Sequence, residues 1–203
     1  MSISSLSKFT VPLASGQSST TQGMLMPKLS YRFRVMFENF GVSGSTTELT
    51  KQVSKAARPN VDFGTTTIDV YNAKINLAAK PSWKTIAVTL RDDVTGAVAK
   101  LVGEQLQKQY DFMEQSSAAS GGNYKFTMAI EMLDGGNGTN TPVVLERWEC
   151  YGCYVTAANY GALDYAQAGP QMIDLTIQPD NCVQTINSAG NQRGTAATLS
   201  GSK

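Results

Sequence analysis

The sequence predicts a mainly β fold, a barrel or sandwich with one flanking α-helix. Three observations predict it. Several runs alternate strictly between apolar and polar residues, which marks half-buried strands because successive side chains point to opposite faces. Only one stretch, 95–116, repeats its apolar residues at helical spacing. Gly/Asn- and Ser/Thr-rich pieces separate these runs, as turns and loops do. At 203 residues with 41% hydrophobic content, one domain with a real core is the default, since domains run to roughly 100–200 residues.

Taken in order, residues 1–27 are Ser/Thr/Gly/Gln-rich with one apolar patch, Phe9 to Leu13, and read as an N-terminal extension. Tyr31 to Glu38 is the clearest strand. Tyr31, Phe33, Val35 and Phe37 share one face, while Arg32, Arg34, Met36 and Glu38 share the other. The aromatic–Arg interleaving superficially matches nucleic-acid platforms. Core aromatics backed by solvated or paired arginines explain it better in a chain of net charge +1. Asn39 to Ser45 reads as a turn, and Glu48 to Ser54 as a short strand or irregular edge.

The stretch from Arg58 to Asp93 organises the chain. It opens on Pro59-Asn60 and runs through β-branched residues, Thr65 to Tyr71. It turns at Asn72-Ala73-Lys74 and ends in a strand that puts Ile86, Val88 and Leu90 on one face. Its middle is apolar where a connecting loop is normally polar: Ile68, Val70, Tyr71, Ile75 and Leu77. Either it folds back as a hairpin on its own core, or it lies against another subunit.

The helix of 95–116 carries Val98, Leu101, Val102, Leu106, Tyr110 and Met113 in one stripe. Asp92, Asp93 and Thr95 supply N-terminal capping chemistry, and Gly121-Gly122 would stop it. Its polar face holds Lys100, Glu104 and Lys108. Tyr124 to Met132 alternates as a long strand and Val143 to Tyr151 as its hairpin partner across a Gly/Asn turn at 134–141. Gly152 then marks a bulge or bend. Gln171 to Gln178 is the last strand, with Ile173, Leu175 and Ile177 apolar, and 181–203 reads as a C-terminal tail. The β domain therefore covers 28–180.

Chemistry is sparse. There is no histidine, which removes Ser-His-Asp and Cys-His machinery and the commonest metal ligand. Cys150 and Cys153 form a C-x-x-C inside β structure with no second pair, so buried structural thiols are expected rather than a redox or zinc site. Gly135-Gly136-Asn137-Gly138 lacks the helix and Lys-Ser/Thr of a phosphate loop. No catalytic residue, metal or cofactor is expected. No signal peptide is read at the N-terminus, and no run approaches the roughly 20 apolar residues of a membrane span. Charged residues are only 16%, against roughly 25% in average proteins, which suits β-rich proteins and also surfaces covered in an assembly.

Three pieces carry a family resemblance. They are the strand Tyr31–Phe37; the run from Asp69 through Asn76 and Trp83 to Asp92, a long loop followed by W-x-φ-x-V-T-φ-x-D/N-D and a helix; and the closing set Gly152-Cys153-Tyr154-Val155, Leu163-Asp164-Tyr165 and Gln171–Gln178. In this order they resemble the tail-tube proteins of contractile-tailed, T4-type bacteriophages over roughly residues 28–180. The N-terminal extension, the insertion at 134–141 and the C-terminal tail depart from the family's shortest members.

The resemblance implies a two-sheet β-sandwich or barrel with a flanking helix and a long interface loop. It implies hexameric rings stacked into a hollow tube inside a contractile sheath, with baseplate and tail-terminator proteins as further partners. Genomic DNA would pass through without specific binding, in a virion tail assembled in the bacterial host cytoplasm. Ile68, Val70, Tyr71, Ile75 and Leu77 would then contact the next subunit or ring, and the helix with Lys100, Glu104 and Lys108 would face the sheath. Glu131, Glu146 and Asp174 are candidates for an acidic lumen that does not hold phosphates. An R-type bacteriocin or type VI-like tube without DNA fits the same features. A β-sandwich ligand-binding module, with Trp83 and Trp148 as an aromatic platform, is the reading from another class.

Overall fold

The computed structural model describes residues 27–42, 46–134, 142–166, 168–188 and 191–193. Strong alternation makes five strands where the sequence places them: β1 (Phe33–Glu38), β5 (Ile86–Arg91), β8 (Phe126–Leu133), β9 (Val144–Asn159) and β10 (Met172–Gln178). Their inward residues, Val35, Phe37, Ile86, Val88, Leu90, Phe126, Met128, Ile130, Ile173, Leu175 and Ile177, form one buried core.

Two sheets share β9. Its first half pairs β8 antiparallel, from Leu133↔Val144 to Phe126↔Cys153, and β8 pairs β1. Past Gly152, the second half of β9 pairs β10, which pairs β5, which pairs β2 (Val53–Ala56). Gly152 sits at φ +64° and makes that bend; a Cβ there would collide with the Asp180 carboxylate. The expected bulge is thus the corner between the sheets, where only glycine accepts both the dihedral and the close approach.

The helix α2 spans Ala97–Gln109, shorter than the 95–116 its periodicity predicts. It buries Val98, Leu101, Val102 and Gln105 against the core. Asp93 accepts the Val98 N–H at 3.2 Å, which supplies the anticipated capping chemistry, although the capping position itself is Gly96. The helix stops because Gln109 is used elsewhere. Its side-chain amide bonds both the N–H and the C=O of Val155, each at 2.9 Å, closing the free edge of β9. Tyr110 then turns extended and pairs Ser117 across a small hairpin, β6 (Tyr110–Asp111) and β7 (Ser116–Ser117). Tyr110 and Met113 are consequently exposed instead of continuing the stripe. Gly121–Asn123 is a separate 3-10 turn and not the helix stop.

Two further expectations are corrected. The segment read as a strand or edge at 48–54 begins as a short helix, α1 (Thr47–Gln52), before β2; Leu49 is its core anchor and Thr46 bonds the Phe37 carbonyl. The tail read from 181 begins as a strand, β11 (Asn181–Ser188), which pairs β9 from Asn181↔Tyr151 to Ile186↔Glu146. It puts Cys182 into the core and is followed by β12 (Asn191–Arg193). Tyr31 precedes β1 and is exposed. Residues 135–141 of the expected Gly/Asn turn, and residues 43–45 of the turn read at 39–45, lie outside the described residues.

Candidate assembly surface

The apolar stretch is a hairpin that leaves the body. β3 (Val61–Val70) pairs β4 (Ala73–Trp83) from Val61↔Trp83 to Val70↔Ala73. It prolongs the β2–β5 pair, because Ala57 N–H bonds Ala87 and Lys84 N–H bonds Asn60, each at 2.9 Å. The two strand pairs thus follow one another as an antiparallel ladder, joined through these two bonds. Its tip turns at Tyr71, φ +41°, the left-handed geometry that tight hairpins need.

Register sorts the hairpin's side chains. Directly opposed residues share a face, so Thr66/Leu77, Ile68/Ile75 and Val70/Ala73 lie on one side. Thr67/Asn76 and Asp69/Lys74 lie on the other, joined by a 3.1 Å hydrogen bond and a 3.5 Å ion pair. The polar side is self-satisfied and the apolar side is uncovered. Ile68, Val70, Ile75 and Leu77 are 46–49% exposed and Tyr71 fully so. Of the two placements the sequence left open, folding back on the subunit's own core is excluded.

The other expected site residues are placed as follows. Glu104 accepts the Val42 N–H at 2.9 Å and Lys108 donates to the Asn39 carbonyl at 3.3 Å. Both fasten the 39–42 loop to α2 instead of forming a free outward face. Lys100 is exposed and lies 3.8 Å from Glu104.

The three lumen candidates sit on different faces of the strands that carry them. Glu131 is on the outer face of the β1–β8–β9 sheet and is buried between Arg34 and Arg147, at 2.5 and 2.9 Å. The aromatic–Arg alternation of β1 is therefore explained by core and ion pairs. Glu146 is on the inner face with Trp148, where it accepts Trp148 Nε1 at 2.7 Å, Gln184 at 2.9 Å and Lys28 at 2.5 Å. Burial alone would raise its pKa, but those hydrogen bonds outweigh it and hold the carboxyl below its ordinary value. Asp174 is exposed on the outer face of the other sheet and accepts the Thr89 hydroxyl at 2.6 Å.

Cys150, Cys153 and Cys182 are free and buried. Cys182 stands directly opposite Cys150. The facing Cys182 thiol and burial push the Cys150 thiol up, burial pushes Cys153 up to about 12, and Cys182 is held lower by Cys150. Thiols held protonated in this way, Cys150 and Cys153, are poor nucleophiles. Among the described residues, no group of three or more His, Cys, Asp or Glu side chains could hold a metal ion. Trp83 and Trp148 pack edge to face at 6.4 Å and do not form a flat exposed platform.

Sequence reading missed the two amide side chains of α2, Gln105 and Gln109. Both lie within the helix's polar-looking positions, and hydrophobic periodicity carries no signal for an amide that replaces a backbone partner.

Among solved structures, the chain is similar to the anti-feeding prophage cap, the AFP tube terminating cap. The TM-score is 0.60 at 13% identity, over 86% of this chain and 100% of that one. It is also similar to a chain of the PVC sheath-tube complex, an extracellular contractile injection system in the extended state, with TM-score 0.55, 15% identity and 84% and 100% coverage. The PVC sheath/tube terminator gives 0.54 and 14%, over 80% and 99%. At these identities the fold is what is shared: a mainly β, two-sheet body of the tail-tube type with a flanking helix. No protein-family model matches the chain, and no curated protein does.

Proposed function

We propose that this chain is a structural subunit that self-assembles into the inner tube of a contractile, phage-tail-like particle. The observation that carries the proposal is the uncovered apolar face of β3–β4. An isolated two-stranded hairpin is marginal in water, and this one touches the core at its base through Trp83, while Ile68, Val70, Ile75 and Leu77 stay about half exposed.

Burying a Val, Leu or Ile side chain contributes about 1.5–3 kcal/mol. Covering the half-exposed Ile68, Val70, Ile75 and Leu77 would thus add roughly 3–6 kcal/mol per contact. That is modest for a single pair of subunits. It becomes sufficient when each subunit gives and receives the contact in a closed ring and stack.

In this reading the role is structural, not catalytic. Subunits form hexameric rings that stack into a hollow tube inside a contractile sheath, bounded by baseplate and terminator proteins. Ile68, Val70, Tyr71, Ile75 and Leu77 form the contact to the next subunit or ring. The tube conducts genomic DNA during ejection, as part of a virion tail assembled in the host cytoplasm. A second reading, a DNA-free injection device, is favoured by the likeness to an anti-feeding prophage cap and to a chain of an extracellular contractile injection system. Nucleic acid extracted from purified particles separates the two readings.

Negative-stain electron microscopy with sedimentation of the purified protein tests the proposal. Hollow tubes or stacked rings are the expected result. A protein that stays monomeric even with its sheath and baseplate partners added would sink it.

A further inference from the structure

A second surface pairs with a second protrusion. Between the facing edges of β1 and β2 lies a groove of about 880 Å³. Phe33, Val53, Ile130 and Met132 give it apolar walls, and Lys28, Lys55, Arg58 and Arg91 line it with four positive charges. Among the described residues no carboxylate lines it; buried Glu146 behind it contacts Lys28 and Arg58. In a chain of net charge +1, this is a local concentration of positive charge beside apolar surface.

The small hairpin after α2 carries the complementary chemistry. Phe112 is 61% and Met113 91% exposed at its turn, flanked by Asp111 and the exposed Glu114. The Asp111 carboxylate accepts the N–H groups of Met113 (2.8 Å) and Glu114 (3.2 Å), which fixes the shape of the turn. The carboxyl is held below its ordinary value chiefly by the Glu114 N–H, so it is anionic at neutral pH.

The groove cannot take its own small hairpin. Between Arg91 at the groove and the small hairpin lie a five-residue link, 92–96, and α2, whose 13 residues make a rigid rod about 20 Å long at 1.5 Å per residue. Gln109 then anchors the far end on Val155. A donor and a receptor held apart on a rigid body join copies head to tail, the arrangement that builds rings and filaments.

We infer that the β1–β2 groove receives the Tyr110–Ser117 hairpin of a second copy, with Phe112 and Met113 against its apolar walls and Asp111 and Glu114 against its lysines and arginines. This rests on the self-assembly reading and adds a contact separate from the long hairpin.

The test is a charge swap between two exposed residues, Lys55→Glu and Glu114→Lys, each alone and combined, read by sedimentation and electron microscopy. Melting curves check that each variant folds. Like charges facing across an interface are strongly unfavourable, so each single variant should lower the assembled fraction roughly tenfold or more, and the double variant should recover most of it. Carbodiimide treatment of the wild-type assembly should join Lys55 of one copy to Asp111 or Glu114 of another in an isotope-mixed sample. Tubes formed normally by both single variants, a double variant no better than the singles, or Lys55 cross-links only to other carboxylates would overturn the inference. In the first case the tube reading would stand; if wild-type protein never assembles, both fall.

Discussion

The two halves of one β ladder behave in opposite ways. In the inner half, β5 presents Ile86, Val88 and Leu90 to the core at no more than 1% exposure. In the outer half, β3–β4 presents Ile68, Val70, Ile75 and Leu77 with the same alternation, and each is about half exposed. Sequence pattern and backbone hydrogen bonding are alike in both. What differs is whether another layer of this chain lies over the apolar face. An alternating strand specifies that one face must be covered, and it does not specify by which molecule.

The most forceful way to sharpen that contrast is to put the same charge into both halves. Val88→Asp should cost more than about 4 kcal/mol, because an unpaired carboxylate would enter a dry core. It should prevent folding in thermal or urea melts. Ile75→Asp or Leu77→Asp should shift monomer stability by about 0.5 kcal/mol or less, as exposed substitutions do, yet abolish assembly in sedimentation. If Leu77→Asp unfolds the subunit, the hairpin belongs to the body and the contrast fails.

Gly152→Ala tests the corner that separates the sheets. A left-handed dihedral costs a side chain about 1–2 kcal/mol, and the Asp180 carboxylate must move aside. A loss of about 2–3 kcal/mol is expected, with the hairpin unaffected. Next in size is Glu131→Gln. It leaves Arg34 and Arg147 facing a neutral amide. Both arginines are partly solvated, so the loss should be about 2 kcal/mol, below the 3–5 kcal/mol of a fully buried broken pair. A melt of this variant that matches wild type would show that the charged ladder contributes nothing to the body.

The smallest effect concerns pH. The Glu146 carboxyl is depressed in the folded state below its reference value of 4.5. Its contribution is therefore fully present above that value and lost as pH falls through the lower folded-state value. Wild-type stability should decline below pH 4.5, and Glu146→Gln should remove part of that slope. An unchanged slope would show that Lys28, Trp148 and Gln184 do not hold the charged form.

Much of the body was legible in the sequence because burial on one face writes a two-residue period into β1, β5, β8, β9 and β10. Gly152 was legible for the same kind of reason, since a glycine inside a strong strand pattern demands a geometric cause. The end of α2 was not. Tyr110 and Met113 continue the helical spacing, and the chain leaves the helix because Gln109 is engaged by Val155, a long-range partner that no local pattern encodes. β11 was hidden by its composition, as Asn, Gln, Thr and Ser dilute the Cys182–Ile186 alternation. The lumen candidates were scattered for another reason. Alternation tells which residues share a strand face, but Glu131 and Asp174 belong to outer faces of different sheets, and only the fold at β9 separates them. The proposed assembly residues stood out by their incongruity: Ile68, Val70, Ile75 and Leu77 are apolar in a connection that its own subunit leaves half exposed.

The most direct test of the central claim is amide hydrogen exchange over 64–79, measured in the monomer and in the assembled state. A hairpin covered only by another copy should exchange quickly in the monomer and gain roughly hundredfold protection or more on assembly, while the β5 and β10 amides stay protected in both. Equal exchange of 64–79 in the two states would contradict the account, since the apolar face would then not be what assembly covers.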